Sequence, residues 1–143
     1  QSATIACSRI RIMRRSIRLA VMRRAGNRCE YCQIHNDDAG LFSLHVEHII
    51  PRQHHGTDDL ENLCLSCAEC NWAKGTNLAG LLHGKLYRLY HPRRQHWTRH
   101  FFWDQTLLVG KTNTGIVTVQ VLAINEPSRL MLRENLLFEG RFP

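Results

Sequence analysis

Two pairs of cysteines give the strongest chemical signal in the sequence. Cys29 and Cys32 form one CxxC pair, and Cys67 and Cys70 form another. Two intervening residues let both thiolates of a turn point at one ion, and two such turns complete the tetrahedral sulfur shell that suits Zn²⁺. Disulfides or buried free thiols are the alternatives. We favour structural zinc, since a basic chain without a recognisable signal segment suggests a reducing compartment.

The positive charge of the chain predicts DNA as a partner. Lys and Arg number 19 against 12 Asp and Glu, and the formal net charge is +7 at pH 7. A basic surface attracts polyanions, although a solvated basic face without a partner is the alternative. The N-terminal clustering favours a phosphate-contacting arm that includes Arg14 and Arg15. The clustered residues are Arg9, Arg11, Arg14, Arg15, Arg18, Arg23, Arg24 and Arg28.

Length and hydropathy set further bounds on the protein class. The 143 residues, 43% of them hydrophobic, suit one compact domain spanning 1–143. No apolar stretch approaches the length that crosses a bilayer, and the N-terminus lacks the apolar run and cleavage site of a secretory signal. We therefore expect a cytoplasmic protein without membrane association.

Local patterns around the cysteines predict two short helices and a strand. Ser16 is a candidate cap for a helix that ends at Gly26 and Asn27 and delivers the first cysteine pair onto a tight turn. Strand-forming residues lie around Val46, and Pro51 interrupts them. The second cysteine pair leads into a brief helix that Gly75 closes.

The C-terminal half predicts a hairpin followed by a helix. LLVGKTNTGIVTVQVLAIN has strand-like composition on both sides of a TNTG turn, and EPSRLMLRENLLFEG has Pro127 near a helix start and Gly140 near its end. The run HPRRQHWTRHFFW is ambiguous, because its arginines and Trp97 could contact nucleic acid. We expect its last aromatics, Phe102 among them, to lie in the core.

The motifs CEYC, HVEHIIP, DLENL and CAECNWAKG together resemble the zinc-stapled branch of the HNH endonucleases. The resemblance covers roughly half of the chain, from the helix before Cys29 to Gly75. It implies an α+β fold with a ββα-metal core of two strands and a helix over about 16–76, stapled by a four-cysteine zinc site. The basic N-terminal helix or arm would precede this core, and the hairpin-plus-helix extension of about 77–143 would pack on it.

The resemblance also implies roles for individual residues. Glu47 would bind a catalytic metal ion, His48 would act as general base, and Asn71 would be the second metal ligand. Asn62 matches the middle letter of the family name and would fix the loop and orient His48 by hydrogen bonds. Lys74, by its position in the motif, would contact a phosphate.

The chemistry of phosphodiester hydrolysis agrees with these residue types. The reaction needs a deprotonated water and a cation that absorbs charge on the transition state, and histidine is a suitable base near neutral pH. Oxygen ligands from Glu47 and Asn71 suit Mg²⁺ or Mn²⁺ better than zinc. Neighbouring strand residues point to opposite faces, so Glu47 and His48 need a bent strand end to share one site.

Two alternatives remain open. CLSC offers Cys64 and Cys67 as a competing pair, although the family frame favours Cys67 with Cys70 and leaves Cys64 as a buried thiol and Cys7 unpaired. The function predicted is metal-dependent hydrolysis of DNA by an HNH endonuclease. The competing function is a non-catalytic, zinc-stabilised nucleic-acid-binding module or a subunit of a larger nucleic-acid-processing complex.

Overall fold

The computed structural model describes residues 14–143. Residues 14–24 are helical and form α1, and positive φ angles at Gly26 and Asn27 end that region as predicted. The expected cap at Ser16 is wrong, because Arg14 and Arg15 before it are already helical, and arginine favours helix. The predictions for Cys7 and for the arginines before residue 14 lie outside the described range.

The cysteine-bearing half contains two strands followed by a helix. Strand β1 (His45–His48) pairs antiparallel with β2 (Leu63–Ser66), and Glu47 lies opposite Cys64 in the register. Helix α2 (Ala68–Lys74) follows, capped by the Cys67 sulfur at its start and ended at Gly75 as predicted. Short 3₁₀ turns occupy Asn36–Asp38, Arg52–His54 and Leu60–Asn62. The strand therefore stops at His48, just before the loop that carries Pro51.

The C-terminal half consists of two hairpins and three helices. One hairpin turns through His83 and Gly84, both with positive φ, and the other turns near Gln105. Gly80 lies against Val117 and Val121, so the first hairpin packs closely on a helix. In order the elements are β3 (Ala79–Leu82), β4 (Lys85–Arg88), α3 (Trp97–His100), β5 (Phe101–Asp104), β6 (Leu107–Gly110), α4 (Asn113–Val121) and α5 (Pro127–Phe138).

The predicted hairpin around TNTG is wrong, because the residues after the turn form helix α4. Thr112 caps that helix by accepting a hydrogen bond from the Gly115 backbone N–H at 3.1 Å. The β-branched residues that follow have low intrinsic helix propensity, but Val117 is fully buried. Tertiary packing therefore outweighs local propensity in α4. Strand β6 pairs with β5, which precedes it in the sequence, and not with a strand after the TNTG turn. The predicted C-terminal helix is confirmed as α5.

Aromatic contacts join the two halves of the chain. The Trp97 indole N–H donates to the Tyr31 carbonyl at 2.9 Å, and the Tyr31 and Tyr90 rings meet edge to face. Phe101 is buried as expected, but Phe102 is 47% exposed because it occupies the outward position of β5. Within residues 14–143, no helix has both the length and the apolar character that crossing a bilayer needs.

Candidate functional site

Four sulfur atoms meet in the interior of the molecule. The ligand atoms of Cys29, Cys32, Cys67 and Cys70 all lie within 4.8 Å of one another, and all four residues are buried. The Cys32 and Cys67 sulfurs are 3.7 Å apart, close to the edge of about 3.8 Å expected for a tetrahedron with metal–sulfur bonds of about 2.3 Å. The described cysteines are free thiols rather than disulfides. The four are therefore positioned to bind a metal ion.

Local backbone geometry explains how each pair presents its sulfurs. In the first pair, the Cys29 N–H donates to the Ile34 carbonyl and the Gln33 N–H donates to the Cys29 carbonyl, each at 2.9 Å. This closes the tight turn that the sequence predicts. In the second pair, Cys67 lies at the N-cap of α2 and Cys70 lies inside its first turn. Residues three apart share one helix face, so both sulfurs point to the same side.

Cys64 lies outside this cluster. It is fully buried on β2, where its thiol contacts the Tyr31 hydroxyl at 3.7 Å. Burial raises the pKa of the Cys64 thiol to about 12. The pairing of Cys67 with Cys70, rather than with Cys64, agrees with the prediction.

A buried arginine contacts the sulfur cluster from the C-terminal helix. One Arg129 amino group donates to the Cys70 sulfur at 2.9 Å, while the other donates to the Leu122 carbonyl at 2.8 Å. Glu69 lies 3.3 Å from the Arg129 Nε and completes the pairing of the guanidinium. Four thiolates around a divalent ion carry a net negative charge, which this cation offsets.

Glu47 and His48 line the same cavity, of about 430 Å³, although they are neighbours on β1. The strand ends at His48. Arginines of α1 line the cavity as well, so the basic N-terminal region faces this site. Charged residues of the lining include Arg14, Arg18, Glu47, His48, Arg52 and Asp58.

His48 forms a hydrogen-bonded chain with two charged residues. Its Nε2 lies 2.7 Å from Asp58 Oδ1, and Arg52 donates to the same carboxylate at 2.9 and 3.1 Å. The hydrogen bonds from His48 and Arg52 lower the pKa of Asp58. A carboxylate at Nε2 favours the tautomer with a proton there, which leaves Nδ1 as the proton acceptor of the ring.

Glu47 is a half-buried carboxylate without an ion-pair partner among the described residues. Burial raises its pKa, and the positive charges of His45, His48 and Lys74 partly oppose that shift. A carboxylate kept from water in this way gains from a nearby cation, because the cation restores the stabilisation that solvent gave. Its setting therefore fits an ion ligand.

Asn62 holds the loop that follows His48. Its Oδ1 accepts from the Ile50 N–H at 2.9 Å, and its Nδ2 donates to the carbonyls of Ile50 and Thr57 at 2.9 and 2.8 Å. The Asn62 carbonyl also accepts from the Ile49 N–H at 2.8 Å. The bonds to Ile49 and Ile50 fix the backbone directly after His48, so Asn62 acts on the histidine through the loop rather than by touching it.

Comparison with known proteins identifies the segment that carries these residues. Residues 29–77 match the family model described as HNH endonuclease. We refer to this matched stretch as the HNH segment. Septu protein PtuB of Bacillus thuringiensis is 30% identical over 117 residues, which are 80% of this chain and 43% of that protein. The chain thus spans less than half the length of this curated relative. No solved structure matches significantly.

Three other predicted site residues of the HNH segment and α1 are not among the described residues that line the His48 cavity. Asn71 is the middle residue of α2, with its N–H bonded to the Cys67 carbonyl, rather than at the helix start. Lys74 lines a different cavity, and Arg15 is exposed on α1. Among the described residues that line the His48 cavity, none of these three is present.

The structure adds residues to this HNH site that sequence reasoning missed. Asp58 contacts His48 and Arg52 contacts Asp58, and the acid next to DLENL was the only available signal for them. Arg129 reaches the cysteines from 59 residues away, and no sequence spacing indicates that contact. Within residues 14–143, the four cysteines are the only group of three or more His, Cys, Asp or Glu residues arranged to hold an ion.

Proposed function

We propose that this protein is a metal-dependent HNH endonuclease that hydrolyses phosphodiester bonds of DNA. The observation that carries the proposal is the shared cavity of Glu47 and His48, with Asp58 bonded to the histidine and Arg14 on the cavity wall. An imidazole, two carboxylates and several guanidiniums supply the base, the ion ligand and the phosphate contacts that such a reaction needs.

His48 acts as the general base of the proposed reaction. Its Nε2–H donates to Asp58, so Nδ1 takes the proton from the attacking water. Asp58 is a positioning residue that fixes the tautomer and stabilises the imidazolium that results. Arg52 holds the Asp58 carboxylate from the other side. Arg14 and Arg15 are proposed to draw the phosphate backbone towards this end of β1.

Glu47 and Asn71 are the proposed ligands of the catalytic ion, with Mg²⁺ or Mn²⁺ as the ion. Such an ion, when bound, polarises the phosphate and neutralises charge that develops on the transition state. Glu47 fits this role by its half-buried, unpaired carboxylate. The proposed role of Asn71 rests on its place in the family motif.

The four-cysteine site is proposed to hold Zn²⁺ and to serve folding rather than chemistry. Four buried thiolates leave no open position for water, which is the usual difference between structural and catalytic zinc sites. We also propose that residues 1–143 form one domain in a reducing cytoplasm, where these thiols stay available for metal. The contacts of Arg129 and Trp97 with the HNH segment support a single unit.

A nucleic-acid-binding module that does not cut is the second candidate function. The position of Asn71 within α2, away from the lining of the His48 cavity, is the observation that favours it. Such a module would use the basic surface and the metal-stapled fold without the hydrolytic step. It would bind DNA equally well with or without His48.

Cleavage of supercoiled plasmid separates the two functions. Purified protein is incubated with plasmid and Mg²⁺ or Mn²⁺, beside His48→Ala and the matched control His96→Ala, which changes an exposed histidine outside the site. The proposal expects nicked or linear plasmid from the wild type and the control. Loss of the general base should slow cleavage by about 100-fold or more. Equal behaviour of wild type and His48→Ala would favour the binding module.

A further inference from the structure

A second cavity, of about 300 Å³, lies on another side of the loop that leaves β1. Ile49 and Ile50, which directly follow His48, form one wall, and Lys74 at the end of α2 forms another. The remaining wall comes from Arg88 at the end of β4 and from the segment after it, including His91 and Arg94, all beyond the HNH match at residues 29–77. The extension and the HNH segment therefore build this cavity together.

Positive charge dominates this cavity. Lys74, Arg88 and Arg94 all line it, and no Asp or Glu is among its described lining residues. Neither arginine forms an ion pair with a described residue. Burial lowers the pKa of His91, and the charges of Arg94 and Arg88 lower it further, while Glu61 opposes that shift. Unbalanced cations that line one cavity attract an anion.

Lys74 is the least expected of these cations. The residue is only 5% exposed, yet among residues 14–143 its ammonium group has no hydrogen-bond or ion-pair partner. Burial lowers the pKa of this ammonium group, while Cys64 and Glu47 oppose that shift. The Lys74 nitrogen is not among the fully buried side-chain atoms that lack a hydrogen-bond partner, so the ammonium group reaches the cavity that it lines. An anion in the cavity supplies the partner that the protein itself lacks.

We propose that this cavity binds a phosphate group of the nucleic-acid strand on which the protein acts. The inference rests on the proposed function, because the cavity adjoins the loop after His48 and would hold a part of the same strand. The ammonium and the two guanidiniums contact the phosphate oxygens. Leu78, Leu89 and Tyr90 provide an apolar wall for the attached sugar or base.

The test measures strand binding without cleavage. Fluorescence anisotropy follows a short, labelled single-stranded DNA oligonucleotide at several salt concentrations, with no added Mg²⁺ or Mn²⁺. The variant is Arg88→Gln with Arg94→Gln, because both positions are exposed and tolerate polar side chains. Lys85→Gln with Arg99→Gln is the matched control, since it removes two exposed charges outside the cavity. Lys74→Gln is measured as well, with its folding checked by circular dichroism.

The Arg88→Gln, Arg94→Gln variant should raise the Kd about tenfold. The slope of log Kd against log salt concentration should fall by about 0.7 for each phosphate that is no longer neutralised. The control should change log Kd by less than half as much. Equal changes in both double variants overturn the inference. Thymidine 5′-monophosphate should bind far more weakly than the oligonucleotide, and equal affinity overturns a strand as the ligand.

The same variants distinguish this inference from the proposed function. His48→Ala should bind the oligonucleotide like the wild type and fail to cut plasmid. If the wild type cuts plasmid and the Arg88→Gln, Arg94→Gln variant binds and cuts as well as the wild type, the inference is wrong and the proposed nuclease function stands. If the wild type does not cut but its DNA binding depends on Arg88 and Arg94, the proposed nuclease function is wrong and the inference stands.

Discussion

The Arg129 guanidinium donates to the Cys70 sulfur at 2.9 Å across 59 residues of chain. Arg129 lies in the first turn of α5, and its other amino group bonds the carbonyl that ends the α4 region, at Leu122. The four-cysteine cluster of the HNH segment is therefore joined to the C-terminal helices by one buried cation. Loss of Arg129 removes the cation that bonds the Cys70 sulfur.

Arg129→Gln should weaken metal retention. The glutamine is shorter and neutral, so it no longer offsets the thiolate charge. A hydrogen-bonding residue outside the ligand set typically changes metal affinity by about 10- to 100-fold. Competition with a chromophoric chelator measures this affinity directly. Arg133→Gln is the matched control, because Arg133 is equally buried but bonds the carbonyls of Thr106 and Ile124 instead of a sulfur. An identical loss of affinity in both variants would show that general destabilisation, not charge at the sulfur, is the cause.

Cys64→Ala should keep the metal, whereas Cys67→Ala should lose it. Cys64 lies outside the group of four sulfurs, so its removal leaves the ligand set complete. Native mass spectrometry of both variants reports the bound metal. In the wild type, the Cys64 thiol has its pKa raised to about 12 by burial, so it should resist iodoacetamide at mildly alkaline pH. If Cys64→Ala loses the metal, Cys64 and Cys67 of the CLSC motif are the ligand pair instead of Cys67 and Cys70.

Local signals predicted the parts of the fold that are locally determined. The ends of α1, α2 and α5 follow glycine and proline positions, and the CxxC pairs follow from ligand spacing. Helix α4 was missed, because its β-branched sequence favours a strand and only the Thr112 cap and burial against the first hairpin make it helical. That hairpin was missed as well, although His83 and Gly84 form a suitable turn.

The site was predictable only where its residues share one motif. Glu47 and His48 are adjacent in sequence and share a cavity. Arg129 and the cations of the second cavity come from segments that chain folding brings together, and no periodicity encodes such contacts. Asn71 follows the family motif by position, but the structure leaves it away from the lining of the His48 cavity.

Asp58→Asn should slow cleavage without weakening substrate binding. The amide cannot stabilise the imidazolium of His48, and it allows the wrong ring tautomer, so kcat should fall by about 10- to 100-fold while KM holds. Steady-state cleavage of a labelled oligonucleotide separates the two parameters. Asp59→Asn is the matched control, because its carboxylate accepts from Thr57 and does not touch His48. A change in KM alone would place Asp58 in substrate binding.

The contact between Asp58 and His48 also predicts that the stability of the protein depends on pH. His48 and Arg52 lower the folded-state pKa of Asp58, so this carboxylate favours the folded protein above its unfolded pKa. That contribution is lost as the pH falls through the lowered pKa. The difference in Tm between wild type and Asp58→Asn should therefore hold from neutral pH to about pH 5 and shrink below about pH 4. Thermal melts across this range test the sign. A difference that grows on acidification would contradict the assigned contacts.

Gly56→Ala should disable the loop that Asn62 fixes. A Cβ at this position would overlap the Ile50 carbonyl and lie 2.9 Å from Asn62 Nδ2, the two atoms that hold the loop to Asn62. The loop must shift, and with it the backbone directly after His48. We expect a loss of about 1–3 kcal/mol in unfolding free energy, as for other overpacked sites, and a fall in cleavage beyond what that loss explains. Gly40→Ala is the control, because it meets no atom within 4 Å and carries only the strain of a positive φ. If Gly56→Ala cuts plasmid as fast as Gly40→Ala, the loop geometry does not position His48.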